Sequence, residues 1–292
     1  MTDFGYEDEF TGVCRAVIDR IAPGTSVIDL THGIPPGDVR RGAIALAAAI
    51  PYSAPSVLLA VVDPGVGTAR RAVALSAGDH HLVGPDNGLL WLAAEAAGGV
   101  NRAFDISEGP ARLEGGRRTF HGRDIFSPVA ARLALGDDPA GLGDEIETRS
   151  VVRLELPVAR IDSGSIEATV LFSDHYGNLI LNAGPGLIER SFLRPGVRVR
   201  VERVAGKAGS ADGTDAGTAE STGLPGTASD ADPESSGRAI EVSFGAAFGE
   251  VAAGKALLYP DSSGSLSLAV NRGNAAGRFG FGPDDQLRLT PA

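Results

Sequence analysis

The sequence predicts an N-terminal α/β domain with a mostly parallel sheet, followed by a C-terminal domain that is a small antiparallel β-barrel. Two observations support this fold class. Short apolar runs alternate with helical patterns in the first half of the chain, and short β-like runs separated by turn residues fill the second half. The composition changes near residue 148, so we assign the two domains to residues 1–148 and 149–292.

The first half contains two runs that are typical of buried strands, at residues 26–30 and 56–62. The second run, SVLLAVV, is almost uninterrupted in its apolar character, as expected for a strand covered on both faces. An alanine-rich segment of high helix propensity lies between them at 41–50. Further strands are predicted at 72–75 and 82–83, and further helices at 10–21, 89–97 and 129–135.

The second half contains short runs of alternating or β-branched residues between Gly, Asp, Ser and Pro turns. These runs lie at 151–156, 165–172, 197–201, 239–242, 256–259 and 265–270. Residues 205–238 interrupt them with six acidic and two basic residues and no aromatic residue. This segment has too few apolar side chains to offset the entropy of ordering it, so we predict a disordered acidic insertion.

The net charge of −11 argues against nucleic acid or an anionic membrane as a partner, because polyanions require a basic surface. A single cysteine, Cys14, rules out an internal disulfide, and its helical surroundings predict a small buried residue. No apolar run is long enough to span a bilayer, and the first residues lack the pattern of a signal peptide. We therefore expect a cytoplasmic protein.

Polar residues that can carry chemistry follow the predicted strands of the first domain. Because ligands bind at the carboxyl ends of strands in open α/β sheets, these clusters predict a single crevice. The clusters contain Asp3, Asp29 with His32, Asp63, Asp86, and His121 with Asp124.

The densest cluster is the loop at 61–71, VVDPGVGTARR, which places Asp63 and Arg70 within one tight turn. Taken alone, this loop has a second interpretation as a structural turn with a surface ion pair, and it lacks the ending of a phosphate-binding loop. His121 likewise has both a structural and a functional interpretation. A third hypothesis is a divalent-metal site, although no metal-binding spacing supports it. Its ligands would be Asp29, His32, Asp63, His121 and Asp124.

Taken together, these segments resemble the S-adenosyl-L-methionine hydroxide adenosyltransferase family, which is related to fluorinating and chlorinating enzymes. The resemblance rests on motifs in the family's order that span nearly the whole chain. They are TDFG (2–5), IDLTHGIPPGD (28–38), VVDPGVGTARR (61–71), GPDNGLL (84–90), FHGRDIFSPVAA (120–131), DHYGN (174–178) and DSSG (261–264).

The resemblance implies a homotrimer that needs no cofactor, with each active site between the first domain of one subunit and the second domain of its neighbour. It implies a water-activating set at Asp63, Arg70 and His121, and a ribose-binding acid at Asp3. The remaining implied contacts lie in the second domain. Adenine contacts fall on Asn178, Asn271 and Arg272, aromatic walls on Tyr176 and Phe244, and methionine contacts on Asp174, Ser262 and Ser263.

Two differences from the halogenating relatives favour hydroxide over halide as the nucleophile. Those relatives carry Tyr and Ser where this chain has His121 and Gly122, and they carry an additional loop where this chain has a short turn at 76–81. Two departures from the family affect only fine substrate contacts. Leu181 precedes Asn182 where the family usually has Thr, and the acidic insertion is unusually long.

The resemblance leads to a hypothesis for the chemistry, in which water displaces methionine from the ribose 5′-carbon and releases adenosine. Asp63 and His121 orient the water and accept its proton, while Arg70 stabilises the developing oxyanion. Two alternatives remain open: halide transfer on the same scaffold, and a non-catalytic protein that binds S-adenosyl-L-methionine or adenosine.

Overall fold

The computed structural model describes residues 1–115, 119–204 and 239–292. The chain forms two compact units, Met1–Glu155 and Leu156–Ala292, which divide seven residues after the boundary we assigned from sequence. The predicted acidic insertion, 205–238, lies outside the described residues. The α/β class of the first unit and the barrel of the second are both confirmed.

The described residues of the first unit form four α-helices, one π-helical turn and five strands, besides short 3-10 turns. The helices are α1 (Phe10–Ile21), α2 (Val39–Ala49), α3 (Trp91–Ala96) and α4 (Ser127–Ala134), and the π-helical turn, Gly122–Phe126, leads directly into α4. The strands are β1 (Val57–Leu59), β2 (Ala72–Ala77), β3 (His80–Pro85), β4 (Val100–Asp105) and β5 (Asp144–Ile146). The predicted helices at 10–21, 41–50, 89–97 and 129–135 are confirmed.

The prediction of a mostly parallel sheet is wrong. In the order β1-β3-β2-β4-β5, only β1 and β3 run parallel within the described sheet, and the other neighbours run antiparallel. The reason is local, because only Gly78 and Asp79 connect β2 to β3, with Gly78 at φ +51°. Two residues make a hairpin, whereas a parallel crossover needs a dozen or more.

The sheet has helices on both faces. Leu46 of α2 and Ala93 of α3 pack with Leu75 on one face, while Val129 and Leu133 of α4 lie in the core of the other face. Helix α1 packs on α4 and buries Cys14, as predicted, and burial raises the pKa of this thiol. None of the helices in the described ranges is both long and apolar enough to cross a membrane.

The described residues of the second unit form a closed seven-stranded barrel in the order β13-β9-β10-β11-β12-β8-β7, with β13 pairing back to β7. All pairs are antiparallel except β10 with β11, and β6 adds to β7 outside the ring. The elements are β6 (Arg160–Asp162), β7 (Ser165–Ser173), β8 (Leu179–Leu181), α5 (Pro185–Arg190), β9 (Arg198–Arg203), β10 (Ile240–Phe244), β11 (Ala256–Pro260), β12 (Leu266–Val270), α6 (Ala275–Phe279) and β13 (Gln286–Pro291).

Two predicted strands are wrong. Residues 26–30 and 151–156 belong to no strand in the structure, although both are rich in β-branched residues. Ile28 and Leu30 are exposed on one side of the first segment, so its apolar character does not come from burial within the chain.

Candidate active site

The loop after β1 folds back on itself and joins Asp63 to Arg70. Val66 N–H donates to Asp63 O over 3.2 Å, and Thr68 N–H donates to Gly65 O over 3.2 Å, so two consecutive turns close the loop. Arg70 donates hydrogen bonds to both carboxylate oxygens of Asp63. Its Nε donates to Oδ1 over 3.1 Å, and its Nη2 donates to Oδ2. The two side chains are only 8% and 5% exposed. This is a buried bidentate ion pair, the strongest arrangement of these groups.

The π-helical turn brings His121 to the same guanidinium. His121 immediately precedes the turn, and its Nδ1 lies 3.0 Å from Arg70 Nη2. Arg70 also lies over the ring of Phe126, 5.5 Å from its centroid, and donates Nη1–H to the Arg71 carbonyl over 3.0 Å. The guanidinium is thus held on several sides, and the three side chains singled out by the sequence lie in one network of contacts.

The contact between Arg70 and His121 assigns the hydrogen on the imidazole. A guanidinium only donates, so Nδ1 of His121 must accept with its lone pair. The neutral ring therefore carries its hydrogen on Nε2, which makes Nε2 a donor. Burial and then the charge of Arg70 lower the pKa of His121, so the neutral form is favoured near pH 7.

The lowered pKa of His121 predicts the pH below which kcat of the expected hydrolysis reaction should fall. Because the pKa of His121 is lowered from about 6.5, kcat should stay constant from pH 8 to 6.5 and fall only below that range, where protonated Nδ1 no longer accepts from Arg70. The same sign applies to stability, because a histidine with a depressed folded-state pKa contributes stability above pH 6.5 that is lost as the pH falls. Steady-state kinetics from pH 5 to 8 measure the limb, and an acidic limb above pH 6.5 would contradict this assignment.

Three aromatic rings pack around the backbone next to His121. Phe4, Phe10 and Phe120 contact one another edge-to-face, with centroids 5.3 to 6.0 Å apart. Phe4 and Phe120 leave little room for a side chain at Gly122, where a Cβ would lie 3.2 Å from both rings. Ser127 Oγ donates to the Gly122 carbonyl over 2.7 Å and closes the turn. Close packing therefore fixes the backbone that carries His121.

Replacing Gly122 by alanine should lower kcat about tenfold while the protein stays folded. The added methyl must push the rings by a few tenths of an ångström. Small displacements of catalytic groups lower the reaction rate strongly. Gly12 provides a matched control, since it lies in α1 where an added Cβ would meet nothing within 4 Å, and Gly12→Ala should leave kcat unchanged. Equal kcat for both variants, measured alongside thermal unfolding, would show that packing at Gly122 does not position His121.

Asp3 lies beside this network. Its backbone N–H donates to the Val61 carbonyl over 3.3 Å, two residues before Asp63, and its neighbour Phe4 belongs to the aromatic group next to His121. The Asp3 carboxylate accepts a hydrogen bond of 2.9 Å from Gly37 N–H. A half-buried carboxylate of this kind still has lone pairs that can accept from a ligand hydroxyl.

A cavity of about 390 Å³ opens on Arg70 and His121. Its other polar lining groups include Thr68, Ser107 and Arg112. The cavity gives solvent a route to the imidazole, which a reaction that consumes water requires.

The second unit presents a compact turn around Asp174. Its Oδ1 accepts from the backbone N–H groups of Tyr176 and Asn178, each over 2.9 Å, and its Oδ2 accepts from the Asn178 side chain over 2.8 Å. Tyr176 is 74% exposed at the tip of this turn. Gly177 bonds through its carbonyl to the N–H of Ala276, which brings the turn next to the segment that follows β12.

Four other predicted contacts of the second unit lie beyond the two ends of β12. Asn271 and Arg272 follow its carboxyl end, where Arg272 has a left-handed backbone at φ +58°. Ser262 and Ser263 lie before its start, in a turn where Ser263 Oγ donates to Asp261 over 2.6 Å. The five residues of β12 span about 16 Å, so the two pairs lie toward opposite ends of the strand.

Phe244 is 6% exposed and packs inside the barrel core. Its role as an aromatic wall stays a prediction. Sequence reasoning missed Phe4, Phe126 and Ser127 as parts of the site. Only their position beside predicted site residues could have indicated them, because their contacts depend on the fold.

In the described ranges, the structure contains no group of three or more His, Cys, Asp or Glu side chains that could hold a metal ion. Of the five ligands in the metal hypothesis, Asp29 and His32 approach each other, while Asp63 pairs with Arg70. A carboxylate held by a guanidinium on both oxygens is a poor metal ligand, so the observed pairing favours direct use of the ion pair.

Comparisons with known proteins decide the family. The model of the SAM hydroxide adenosyltransferase N-terminal domain matches residues 1–143, and that of the C-terminal domain matches residues 222–288. This chain belongs to the SAM hydroxide adenosyltransferase family. The family fits the two-unit architecture, and it confirms the resemblance drawn from the motifs.

Individual relatives agree with this membership of the SAM hydroxide adenosyltransferase family. A protein of Salinispora tropica named (R)-S-adenosyl-L-methionine hydrolase is 45% identical, over 99% of this chain and 95% of its own. A crystal structure of an uncharacterized conserved protein from Thermotoga maritima matches with a TM-score of 0.82 and 29% identity, over 99% of this chain and 98% of that one. A fluorinase of Actinoplanes sp. is 27% identical, over 62% of this chain and 70% of its own.

Proposed function

We propose that this protein hydrolyses S-adenosyl-L-methionine to adenosine and L-methionine. The observation that carries the proposal is that Arg70 links Asp63 and His121, in a chain that is 45% identical to a protein named for this activity. Water attacks the ribose 5′-carbon, so that a carbon–oxygen bond forms as the carbon–sulfur bond breaks. The electron pair of the broken bond goes to sulfur, and methionine leaves as a neutral thioether that needs no acid.

The hydrogen-bond roles divide the work among the three groups. Nδ1 of His121 accepts from Arg70, so Nε2–H is free to donate to the oxygen of the attacking water and to orient it. Asp63 is the one group of the three with unused lone pairs, since each carboxylate oxygen accepts a single bond from Arg70. The proton of the water therefore goes to Asp63, and this assignment replaces the shared role of His121 as a proton acceptor.

Arg70 holds the other two groups in register. Its guanidinium binds Asp63 on one edge and His121 through Nη2, so the acceptor and the donor face the water from fixed positions. Its charge also stabilises negative charge that develops on the water oxygen. A site that excludes bulk water strengthens each of these interactions.

Substrate binding extends over both units in this proposal. Asp3 accepts hydrogen bonds from the ribose hydroxyls, and Asn178, Asn271 and Arg272 contact adenine. Tyr176 covers the nucleoside, while Asp174, Ser262 and Ser263 bind the methionine amino and carboxylate groups. We further propose a homotrimer whose active sites combine the first unit of one subunit with the second unit of a neighbour. A cytoplasmic location completes the proposal, and the single cysteine is compatible with a reducing compartment.

The test is to incubate the purified protein with S-adenosyl-L-methionine in ¹⁸O-water and to follow the products by mass spectrometry. The proposal expects methionine and adenosine that carries one ¹⁸O at the 5′-position. Substrate of the (R) and of the (S) configuration at sulfur should be supplied separately, because the Salinispora relative is named for the (R) form. Unlabelled adenosine, or a 5′-halonucleoside when chloride or fluoride is added, would contradict the proposal, and chelator-sensitive turnover would favour a metal-dependent reaction.

A further inference from the structure

A second histidine, His32, lies in a chain of polar contacts that runs from the half-exposed Arg15 to the segment that carries Asp3. Arg15 Nη1 donates to Asp29 Oδ2 over 2.9 Å, and Asp29 Oδ1 lies 3.3 Å from His32 Nε2, outside hydrogen-bond geometry. His32 Nδ1 lies 2.7 Å from Thr2 Oγ1. The His32 and Thr2 residues are both buried, so this contact is protected from water. The proposed reaction uses none of these four side chains.

The hydrogen-bond roles along this chain follow from the partners. Thr2 Oγ1 accepts from the backbone N–H of Phe4 over 3.1 Å, which leaves its hydroxyl hydrogen to donate to His32 Nδ1. The imidazole hydrogen then sits on Nε2 and faces the Asp29 carboxylate, which attracts it. The opposite tautomer would aim a lone pair at that carboxylate. Burial lowers the pKa of His32, in agreement with a neutral ring.

This chain of polar contacts ends at the two residues that flank Asp3. Thr2 precedes Asp3 and Phe4 follows it, and the Thr2 hydroxyl bonds to both His32 and the Phe4 backbone. The His32 backbone contributes as well, because its carbonyl accepts from Gly5 N–H over 2.9 Å. The segment 2–5 is thus tied to His32 at several points, and these ties fix the backbone from which the Asp3 carboxylate projects.

We infer that His32 is a positioning residue, which holds the Thr2 hydroxyl so that the backbone at Asp3 aims its carboxylate at the ribose. This inference rests on the proposed ribose contact of Asp3. This arrangement of contacts predicts a specific defect. Loss of the His32–Thr2 contact should weaken nucleoside binding without changing the rate of the step that breaks the carbon–sulfur bond. Asp63, Arg70 and His121 keep their contacts in such a variant.

The experiment measures adenosine affinity by calorimetry for His32→Ala and His32→Asn, each in the wild-type and in the Asp3→Asn background. His32→Ala should weaken adenosine binding about 3- to 10-fold, the range of one net hydrogen bond. Asparagine places an amide oxygen where Nδ1 was, so His32→Asn should bind within twofold of wild type. In the Asp3→Asn background His32→Ala should cost less than twofold, because the group it positions is gone.

Kinetics separate positioning from a general loss of structure. His32→Ala should raise KM for S-adenosyl-L-methionine by the same factor while kcat stays within twofold. His81 is a matched control, since it is another histidine with a burial-lowered pKa, bonded to Ser76 Oγ at 3.2 Å on the sheet, and His81→Ala should change neither affinity nor KM. If His32→Ala does not fold, Thr2→Val removes the same contact with an isosteric side chain and carries the same expectation.

The outcomes are distinguishable. Equal losses in the two backgrounds, unchanged affinity of His32→Ala, or wild-type affinity of Asp3→Asn would each overturn the positioning role. A wild-type protein that binds adenosine and leaves S-adenosyl-L-methionine intact would overturn the proposed function alone, since the affinity comparison still decides the role of His32. A wild-type protein that binds no adenosine would overturn both.

Discussion

Replacing Asp63 by asparagine should lower kcat at least 100-fold, since general-base catalysis contributes about 10²- to 10⁴-fold. Asparagine has the same shape as aspartate and keeps an acceptor for Arg70, but it cannot take up the proton of the attacking water. Adenosine affinity should stay within about threefold, because in the proposed site the nucleoside contacts Asp3 and the second unit. Single-turnover hydrolysis and adenosine calorimetry on the same preparation measure the two effects.

The control for this variant is a second buried carboxylate that is held by a guanidinium. Asp86 accepts from Arg71 Nε over 2.9 Å and from Arg71 Nη2 over 2.5 Å, and its side chain is 2% exposed. Breaking a buried pair costs about 3–5 kcal/mol of stability, and less where the guanidinium is 32% exposed, as it is at Arg71. Asp86→Asn should therefore lower the free energy of unfolding as Asp63→Asn does, with kcat within a few-fold of wild type. Similar kcat losses in both variants would assign the defect at Asp63 to stability instead of catalysis.

Local patterns predicted the helices well. The 3.6-residue period of 10–21 gave α1 with its buried Cys14, and Pro128 marked the first turn of α4. Such features depend on neighbours in sequence, so one segment contains all of the information that determines them.

Strand direction and pairing could not be predicted in the same way. Strand β8, Leu179–Leu181, has only three residues and shows no period, while residues 26–30 have a strand's composition and no place in a ladder. Pairing is decided by partners far along the chain, as when β13 closes the barrel on β7 across more than a hundred residues. The β2–β3 hairpin shows what was overlooked, because a turn too short for a parallel crossover stands in the sequence at 76–81, yet we predicted a mostly parallel sheet.

The candidate site shows the same division. Asp63 and Arg70 share one loop, so their proximity follows from the turn residues between them. The approach of His121 to Arg70 spans 51 residues, and the packing of Phe4 on Phe120 spans more than a hundred. Motif resemblance indicated His121, but the hydrogen on its ring depended on which atom faced the guanidinium. Only coordinates supply that information, and it is the basis on which we propose a donor role for His121 in place of the proton-accepting role expected from the sequence.

Replacing His121 by alanine should lower kcat at least 100-fold as well, and two further variants separate its possible roles. Glutamine places an amide NH₂ near the position of Nε2, and it can donate to water but cannot take up a proton. His121→Gln should therefore recover kcat to within about tenfold of wild type if Nε2–H orients the water. Asparagine instead places an acceptor near Nδ1 and keeps the contact with Arg70 without the donor. His121→Asn should remain as slow as His121→Ala.

The order of these three variants decides between donor and base. A general base at His121 predicts that glutamine, asparagine and alanine are equally inactive, because none of them accepts a proton near neutral pH. Measurements at pH 7.5 keep the wild-type imidazole neutral, since its pKa lies below its ordinary value. Adenosine affinity within threefold for all three variants shows that the site stays assembled. Recovery by glutamine alone would place the proton on Asp63, because no other member of the network has lone pairs to receive it.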